Sequence, residues 1–575
     1  VARKKYSCDF ETTTDPEDCR VWAYGYMEIG NKKNFDIGNN LVDFMIWMEK
    51  TKSDIYFHNL RFDGEFIVHY LLSNGWEWND TGLPKTFNTI ISRMGQWYMI
   101  DICYGYKGKK KQHTVIYDSL KKLPFPVKMI GKAFNLEVLK IDKEKEFYDR
   151  SRPIGHEITT EEKAYVKNDI EVIADAIEIQ FNQGLKAMTS GSDSLKGFKS
   201  IISTKMFEKL FPVLSLEDDA EIRLAYRGGY TYADDRHTGK TINGGMTFDV
   251  NSLYPSVMYN RPLPFGKPIK FSGKYEEDEN YPLNVQHIKC EFKIKEKRLP
   301  IIQIKKNLSF KQNEYLKSSN GDIVDLYLTN VDLELVLEHY ELYNVEYVGG
   351  WKFRQRVGIF KDFIDKWMHI KVTSEGAIKI LAKLMLNSLY GKFASNPDVT
   401  GKYPYLKENK ACGFAVGDDD FKKPVYTPMG IFITSWSRYV MITTAQKCYD
   451  RFLYCDTDSN HISGTEIPEA LKDNIDPNKL GYWKHEGTFK RAKFIRQKTY
   501  VEEYYVKKVD GELKSCSPSE ATDLKLSVVC AGMPDAVKEK VTFENFEVGF
   551  KGSGKLLPKH VKGGIVLVDT EFTMK

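Results

Sequence analysis

Aspartate and glutamate recur in the 575-residue chain at spacings that could seat divalent cations. In Tyr6-Ser7-Cys8-Asp9-Phe10-Glu11-Thr12 a strand turns Asp9 and Glu11 to one face, about 6–7 Å apart along the backbone, and Phe10 to the other. Two acids so placed repel unless a cation intervenes, and hard oxygen donors favour Mg²⁺ or Mn²⁺. An edge strand showing both acids to solvent is the plainer alternative. The strand-like Ile55-Tyr56-Phe57 breaks at His58-Asn59 and runs through Phe62-Asp63-Gly64 into an amphipathic helix, which puts Asp63 near a helix start. Thr160-Glu161-Glu162 opens another helix whose stripe Val166, Ile170, Ile173 and Ile177 faces a core. Tyr165 and Asp169 share its neighbouring face, a pair common on ordinary surfaces. Taken in order, Asp9, Glu11, Asp63 and Asp169 supply four carboxylates and Tyr165 a phenol. That set suffices for two-metal phosphodiester hydrolysis, with the phenol orienting the attacking water.

A second acidic set follows. Met246-Thr247-Phe248 reads as a strand ending at Asp249, with Pro255 stopping regular pairing beyond it. Phe452 to Ser459 reads as a strand and a tight turn at Asp456-Thr457-Asp458, returning through His461-Ile462. Two acidic strand ends can share metals, although aspartate and serine also favour turns with no metal present. Between them a helix is expected from Thr373-Ser374-Glu375 to Gly391. It places Lys379, Lys383, Asn387 and Tyr390 on one face and Ile378, Leu381, Met385 and Leu389 on another. Cations beside an aromatic ring on a rigid helix suit a triphosphate whose base lies against the ring; a solvated lysine face is the bland reading.

These residues need several cores to hold them, and the length suggests three or four at about 100–200 residues each. Hydrophobic residues at 42% and charged residues at 28% exclude disorder as the main state. A net charge of only +5 means that a polyanion must be met by local patches. Aromatics interleave with cations in Phe489-Lys490-Arg491-Ala492-Lys493-Phe494 and Lys498-Thr499-Tyr500, as stacking plus phosphate contact would require. There is no apolar run of about 18 residues, no signal-type stretch after Val1-Ala2-Arg3 and no Cys-x-x-Cys pair, so a soluble protein of a reducing compartment is expected. Tyr6 to about residue 185 reads as an α/β domain, with a hairpin tip at Lys107-Gly108-Lys109-Lys110-Lys111. The small residues Ser190 to Ser194 suggest a domain junction, and Ala394 to about Pro428 a solvent-exposed insertion.

In this order the motifs resemble the family B DNA polymerases, specifically the protein-primed branch, over essentially the whole chain. Asp9-Phe10-Glu11, Asn59-Leu60-Arg61-Phe62-Asp63 and Tyr165-Val166-Lys167-Asn168-Asp169 are similar to the three exonuclease motifs. Asp249 to Pro255, Lys383 to Gly391 and Tyr454 to Ser459 are similar to the three polymerase motifs. Lys498-Thr499-Tyr500 resembles the primer-terminus element, and Tyr226-Arg227-Gly228-Gly229 the element linking the two activities.

The resemblance implies a multi-domain α/β and α+β fold. An RNase H-like 3′–5′ exonuclease domain would occupy 1–189. The right-hand polymerase domain would follow: palm in 190–260 and 427–530, fingers in 359–394, thumb in 531–575. Two branch-specific insertions would lie at 261–358, for terminal-protein and DNA contact, and 395–426, for processivity and strand displacement. Asp249, Val250 and Asp458 would bind the polymerase metals, with Asp456 secondary. Val250, Tyr254, Lys371, Lys379, Lys383, Asn387 and Tyr390 would meet the nucleotide, Tyr254 blocking a 2′-hydroxyl. Asp9, Glu11, Asp63 and Asp169 would hold the exonuclease metals, assisted by Lys140 and with Tyr165 on the water. His58, Asn59, Phe62, Ser119 and Leu120 would grip a frayed strand. Tyr226, Gly228, Gly229, Lys498 and Tyr500 would touch DNA. The implied cofactor is Mg²⁺, with Mn²⁺ as a substitute, about two ions per site. The implied partners are template-primer DNA, deoxynucleoside triphosphates and a terminal protein bound as a heterodimer, with no membrane and a monomer otherwise, in the cytoplasm of an infected bacterial host. Two departures from the pattern are Asn460, which could perturb the acidic hairpin, and Val529, which could weaken a DNA contact. A nuclease whose C-terminal half only grips DNA, and a structural DNA-binding protein, are the rival readings.

Overall fold

The computed structural model describes residues 3–141, 143, 145–304 and 314–575; Val1 and Ala2, before the expected first strand, lie outside them. The N-terminal sheet has eight strands. Three of them, Lys5–Thr12, Asp54–Phe57 and Lys110–Asp118, run parallel and deliver their carboxyl ends to one edge, where open α/β sheets place their sites. Lys5–Thr12 alternates as expected, with Cys8 and Phe10 buried and Asp9 and Glu11 on the other face. Helix Thr160–Asn182 lies across that face, started by a reciprocal cap between Thr159 and Glu162. The hairpin at 107–111 forms as expected, turning through Gly108 at φ +61°.

A second sheet carries the other acids, with strands Thr231–Ala233, Phe452–Asp456, Ser459–Ser463, Thr241–Val250, Trp483–Arg496, Thr499–Val509 and Glu512–Ser515 side by side. Its back packs on the buried helix Thr427–Lys447. A four-stranded sheet with helix Asn330–His339 interrupts the chain between the first acidic strand and helices Lys361–Thr373 and Gly376–Phe393. Two hairpins complete the structure, Lys402–Leu406 with Cys412–Val416 and Lys551–Val561 with Gly564–Thr573. All nine cysteines are unpaired, and no helix among the described residues is long and apolar enough to cross a membrane.

Five expectations are corrected. Ser190 to Ser194 is not an aperiodic stretch but the first turn of helix Ser190–Ile202, which leaves the domain boundary expected there untouched; its small residues serve close packing, since the buried Ser194 hydroxyl donates to the Met385 carbonyl at 3.0 Å. The cationic helix starts after Glu375 and runs past Gly391 to Phe393, because Phe393 completes an aromatic core with Phe198, Phe207, Phe211 and Phe360. Pro255 lies inside the short helix Leu253–Asn260 rather than ending a pairing strand, its first turn needing no proline N–H. The excursion after Ala394 is not simply solvent-exposed: Tyr403 packs on Trp78 and Phe414 on Trp97 of the N-terminal domain, and Ala411 and Cys412 are buried. Asn460 leaves the acidic hairpin intact, paired with Cys455 and Phe248 and buried between them.

Candidate active sites

In the N-terminal domain, Asp9 and Glu11 face helix Thr160–Asn182, which brings Tyr165 and Asp169 over the sheet. The approach depends on Gly25, opposite Asp9, where a Cβ would lie 2.6 Å from Ile170 and 2.8 Å from Val166. Asp63 enters from the buried first turn of helix Leu60–Ser73. Burial, then Asp169, pushes the Asp9 carboxyl up to about 7, with Lys140 opposing. Burial followed by the neighbouring acids drives Glu11 and Asp63 well above the carboxylate range. Lys140 pairs with Asp169 at 2.5 Å. The Tyr165 phenol, 2.8 Å from that of Tyr148, is raised by burial and then by Glu11, so it keeps its proton.

The loop beside this pocket is built by a residue the sequence reading missed. Asp118 accepts from the backbone N–H groups of Asn59, Leu60 and Leu120 at 3.0, 3.3 and 3.0 Å, which holds Asn59 left-handed at φ +69° before the helix. The local signal that could have found it is an acid at the end of strand Lys110–Asp118. His58 contacts Ser119 Oγ at 3.0 Å and the Phe125 carbonyl at 2.8 Å, and burial lowers its pKa to about 4. Ser119 is fully buried and donates to the Phe57 carbonyl. Of the five expected strand-gripping residues, His58 and Ser119 thus shape the loop from inside, while Phe62 leans on Phe66 at 5.7 Å.

On the second sheet Asp249 pairs across strands with Ser459, and Asp456 pairs with the same residue across the turn. The Val250 N–H donates to the Asp458 carbonyl at 2.8 Å. The turn is tight because Thr457 is left-handed at φ +64°, with its N–H on the Tyr230 carbonyl at 2.8 Å. Distant sequence is thus folded into one acidic cluster. Burial and then Asp458 push Asp249 up to about 7; Glu486 adds to this, and Lys484 and Lys371 oppose it. Asp458 is raised by burial and by Asp456. Asp456 accepts from Lys498 Nζ at 2.7 Å and from the Tyr454 hydroxyl at 3.2 Å. Lys484 and Glu486 were missed, although their alternation on a strand beside Asp249 was a readable signal.

The helix expected to carry a cationic face and an apolar face forms with both. Lys379, Lys383 and Asn387 are exposed, while Leu381, Met385 and Leu389 are buried. Lys371 bonds Ser252 Oγ at 3.0 Å; its pKa is lowered by burial and then by Lys383 and Lys379, so the three cations converge. The rings of Tyr254 and Tyr390 lie 4.4 Å apart, and the Tyr226 hydroxyl meets that of Tyr390 at 3.1 Å. A buried ion pair, Arg438 with Asp332 at 2.6 Å, was invisible in the sequence. The same guanidinium bonds the carbonyls of Arg227 and Gly228, seating the Tyr-x-Gly-Gly turn with Gly229 against Thr457.

Among the described residues no three histidine, cysteine, aspartate or glutamate side chains converge on one point as a bound metal would require; Asp169 is turned onto Lys140. The donors at both sites are nonetheless those that hard divalent cations take, carboxylate oxygens held together against their own repulsion. The residues fit magnesium or manganese.

The family described as DNA polymerase type B, organellar and viral, matches residues 45–477. The chain is 65% identical to the DNA polymerases of Bacillus phage M2 and Bacillus phage phi29, covering 100% of each. It matches the structure of phi29 DNA polymerase complexed with primer-template DNA and incoming nucleotide substrates with a TM-score of 0.96, 64% identity and full coverage of both chains. The chain belongs to the type B DNA polymerases of organelles and viruses, and to the phi29 kind within them.

Proposed function

We propose that the protein extends a primer at the cluster of Asp249, Asp456 and Asp458 and removes 3′-terminal nucleotides at the cluster of Asp9, Glu11, Asp63 and Asp169. The observation that carries this reading is the placement of the two acidic clusters on different sheets, each beside its own lysines and phenols. Asp249 and Asp458, with the Val250 backbone, would hold divalent ions at the synthesis site, and the four N-terminal acids at the other. When bound, such ions neutralise charge on the reacting phosphate.

The chain's own groups do the rest. Lys371, Lys379 and Lys383, with Asn387 beside them, face the triphosphate and orient it. Tyr254, closed against Tyr390, leaves room for a deoxyribose and excludes a 2′-hydroxyl. Lys498 and Tyr500 hold the primer end, Lys498 also fixing Asp456. At the hydrolytic site the protonated Tyr165 orients water, while Lys140 holds Asp169 until substrate arrives. His58, Asn59, Phe62, Ser119 and Leu120 form the loop along which a frayed strand lies, and Tyr226, Gly228 and Gly229 the turn between the two activities.

On this reading 1–189 is the exonuclease domain, 190–260 with 427–530 the palm, 359–394 the fingers and 531–575 the thumb. The sheet within 261–358 and the hairpin within 395–426 serve terminal-protein contact, processivity and strand displacement. The partners are template-primer DNA, deoxynucleotides and a priming terminal protein, in the cytoplasm of the infected bacterial host. Asp458→Asn should abolish extension while leaving primer degradation intact, and Asp9→Ala with Glu11→Ala should do the reverse. Equal loss of both activities in either variant would refute separate sites. Labelling of a terminal protein by a deoxynucleotide without an oligonucleotide primer tests the priming role.

A further inference from the structure

Behind the acidic hairpin lies a buried polar network that no step above uses. Strand alternation sends Ser459 and His461 to one face of the second sheet, with Thr247 directly across from His461. Two strands beyond Thr247, Glu502 and Tyr504 project to meet them. His461 Nδ1 lies 2.6 Å from Glu502 Oε1, with side-chain exposures of 3% and 2%. The Tyr504 hydroxyl donates to Glu502 Oε2 at 2.5 Å, and Thr247 Oγ1 lies 2.7 Å from that hydroxyl and 3.3 Å from Glu502 Oε1. Tyr504 reaches Thr247 only because the strand between them carries Gly487, where a Cβ would lie 2.7 Å from the tyrosine ring. Taking a carboxylate and an imidazole into a sheet interior is costly unless every donor is matched, and here several donors converge on Glu502.

The imidazole also faces the synthesis site. Its Nε2 lies 3.4 Å from Ser459 Oγ, the residue that follows Asp458 and pairs across strands with Asp249. Its ring is boxed by Tyr454 and Tyr500, each at 5.3 Å, and Phe494 at 5.6 Å. Tyr454 in turn accepts the Lys498 N–H at 2.9 Å and donates to Asp456. Nδ1 faces Glu502 and Nε2 faces Ser459, so the carboxylate fixes the orientation of the ring between them.

We infer that Glu502 and His461 form a positioning pair for the primer terminus, bracing the Tyr454–Tyr500 ring pair and Ser459 so that Lys498 and the acidic hairpin keep one geometry. The pair touches no reacting atom and works through the residues that do. The inference rests on the reading of this hairpin as the synthesis site.

The test measures steady-state extension of a primed template with Mg²⁺, degradation of a single-stranded oligonucleotide, and melting temperature, in the full-length protein, Glu502→Gln and His461→Asn. Asparagine keeps a donor for Glu502 but loses the ring and the contact to Ser459. The expected result is that both variants extend about tenfold more slowly at saturating nucleotide, with KM for deoxynucleotide and the degradation rate unchanged within about twofold. Extension at the parent rate in either folded variant would overturn the pairing. Parallel loss of both activities and of melting temperature in both variants would also overturn it, by making the network purely structural. If the parent itself fails to extend a primer, the reading of the synthesis site falls instead.

Discussion

Glu65 Oε1 and His560 Nδ1 meet at 2.5 Å, although 495 positions separate them in the chain. The contact ties the tip of the C-terminal hairpin to the helix that carries Asp63. Beside it the Gly563 N–H donates to His69 Nε2 at 3.0 Å, and Lys562 bridges to Ala411 of the 402–416 hairpin. Gly563 and Gly564 have φ of +99° and +156°, with a Cβ at the first blocked 2.1 Å from the Cys19 carbonyl oxygen. Three parts of the structure are latched at one point.

Glu65 is 1% exposed, so His560→Ala strands a buried carboxylate, which costs on the order of 1–3 kcal/mol. Amide exchange across 555–567 should quicken severalfold while the central strands of the second sheet keep their protection. Unchanged exchange at the tip would show that the contact contributes nothing to docking.

Stability should respond to pH in a direction set by the raised acids. Asp9 and Asp249 are pushed up to about 7, against about 4 in an unfolded chain. The folded state therefore holds protons that the unfolded chain has already released. The resulting stabilisation is complete below about pH 4 and is lost as pH rises through about 7. In chelator, Asp9→Asn and Asp249→Asn should melt above the parent at pH 8, and the gap should close at pH 5. Added Mg²⁺ should raise the parent's melting temperature more at pH 8 than at pH 5. A gap independent of pH would contradict these raised values.

Gly229 governs the acidic turn by its lack of a side chain. A Cβ there would lie 2.8 Å from Thr457 Cγ2 and 3.3 Å from Thr457 Cα, and Thr457 is already pinned to the Tyr230 carbonyl. Gly229→Ala should displace the turn and slow extension by about tenfold or more, with single-stranded degradation within about twofold of the parent. Equal rates of extension would show that the turn yields without cost.

Lys122 is 1% exposed, with its ammonium 2.7 Å from Asp193 and on the Leu185 and Ala187 carbonyls. Lys122→Met leaves Asp193 buried and uncompensated, at a cost of about 3–5 kcal/mol. Adding Asp193→Asn should recover a large part of that loss in denaturant midpoint. A double variant no better than the single one would place the damage in packing alone.

Much of both sites was legible because it rests on local geometry. Alternation along Lys5–Thr12 puts Asp9 opposite Phe10 in any environment, Thr159 and Glu162 start a helix by a contact three residues long, and Asp456 to Ser459 is a turn by composition. The errors came where tertiary contact reassigns local signals. Ser190 to Ser194 has the composition of a linker, yet the same small side chains permit close helix packing against Met385. The polar stretch after Ala394 is covered by Trp78 and Trp97, which no window of neighbouring sequence contains.

By itself, then, the sequence determined which acids could serve chemistry, their order, and the strands, helices and turns that bear them, since covalent geometry and turn preference act over a few residues. Only the tertiary structure decided that Lys140 holds Asp169, that Lys498 pairs with Asp456, and that Glu502 reaches His461 and Glu65 reaches His560. Pairings of that kind carry no local signature, because charged residues are common in the chain and their partners are selected by sheet order and burial.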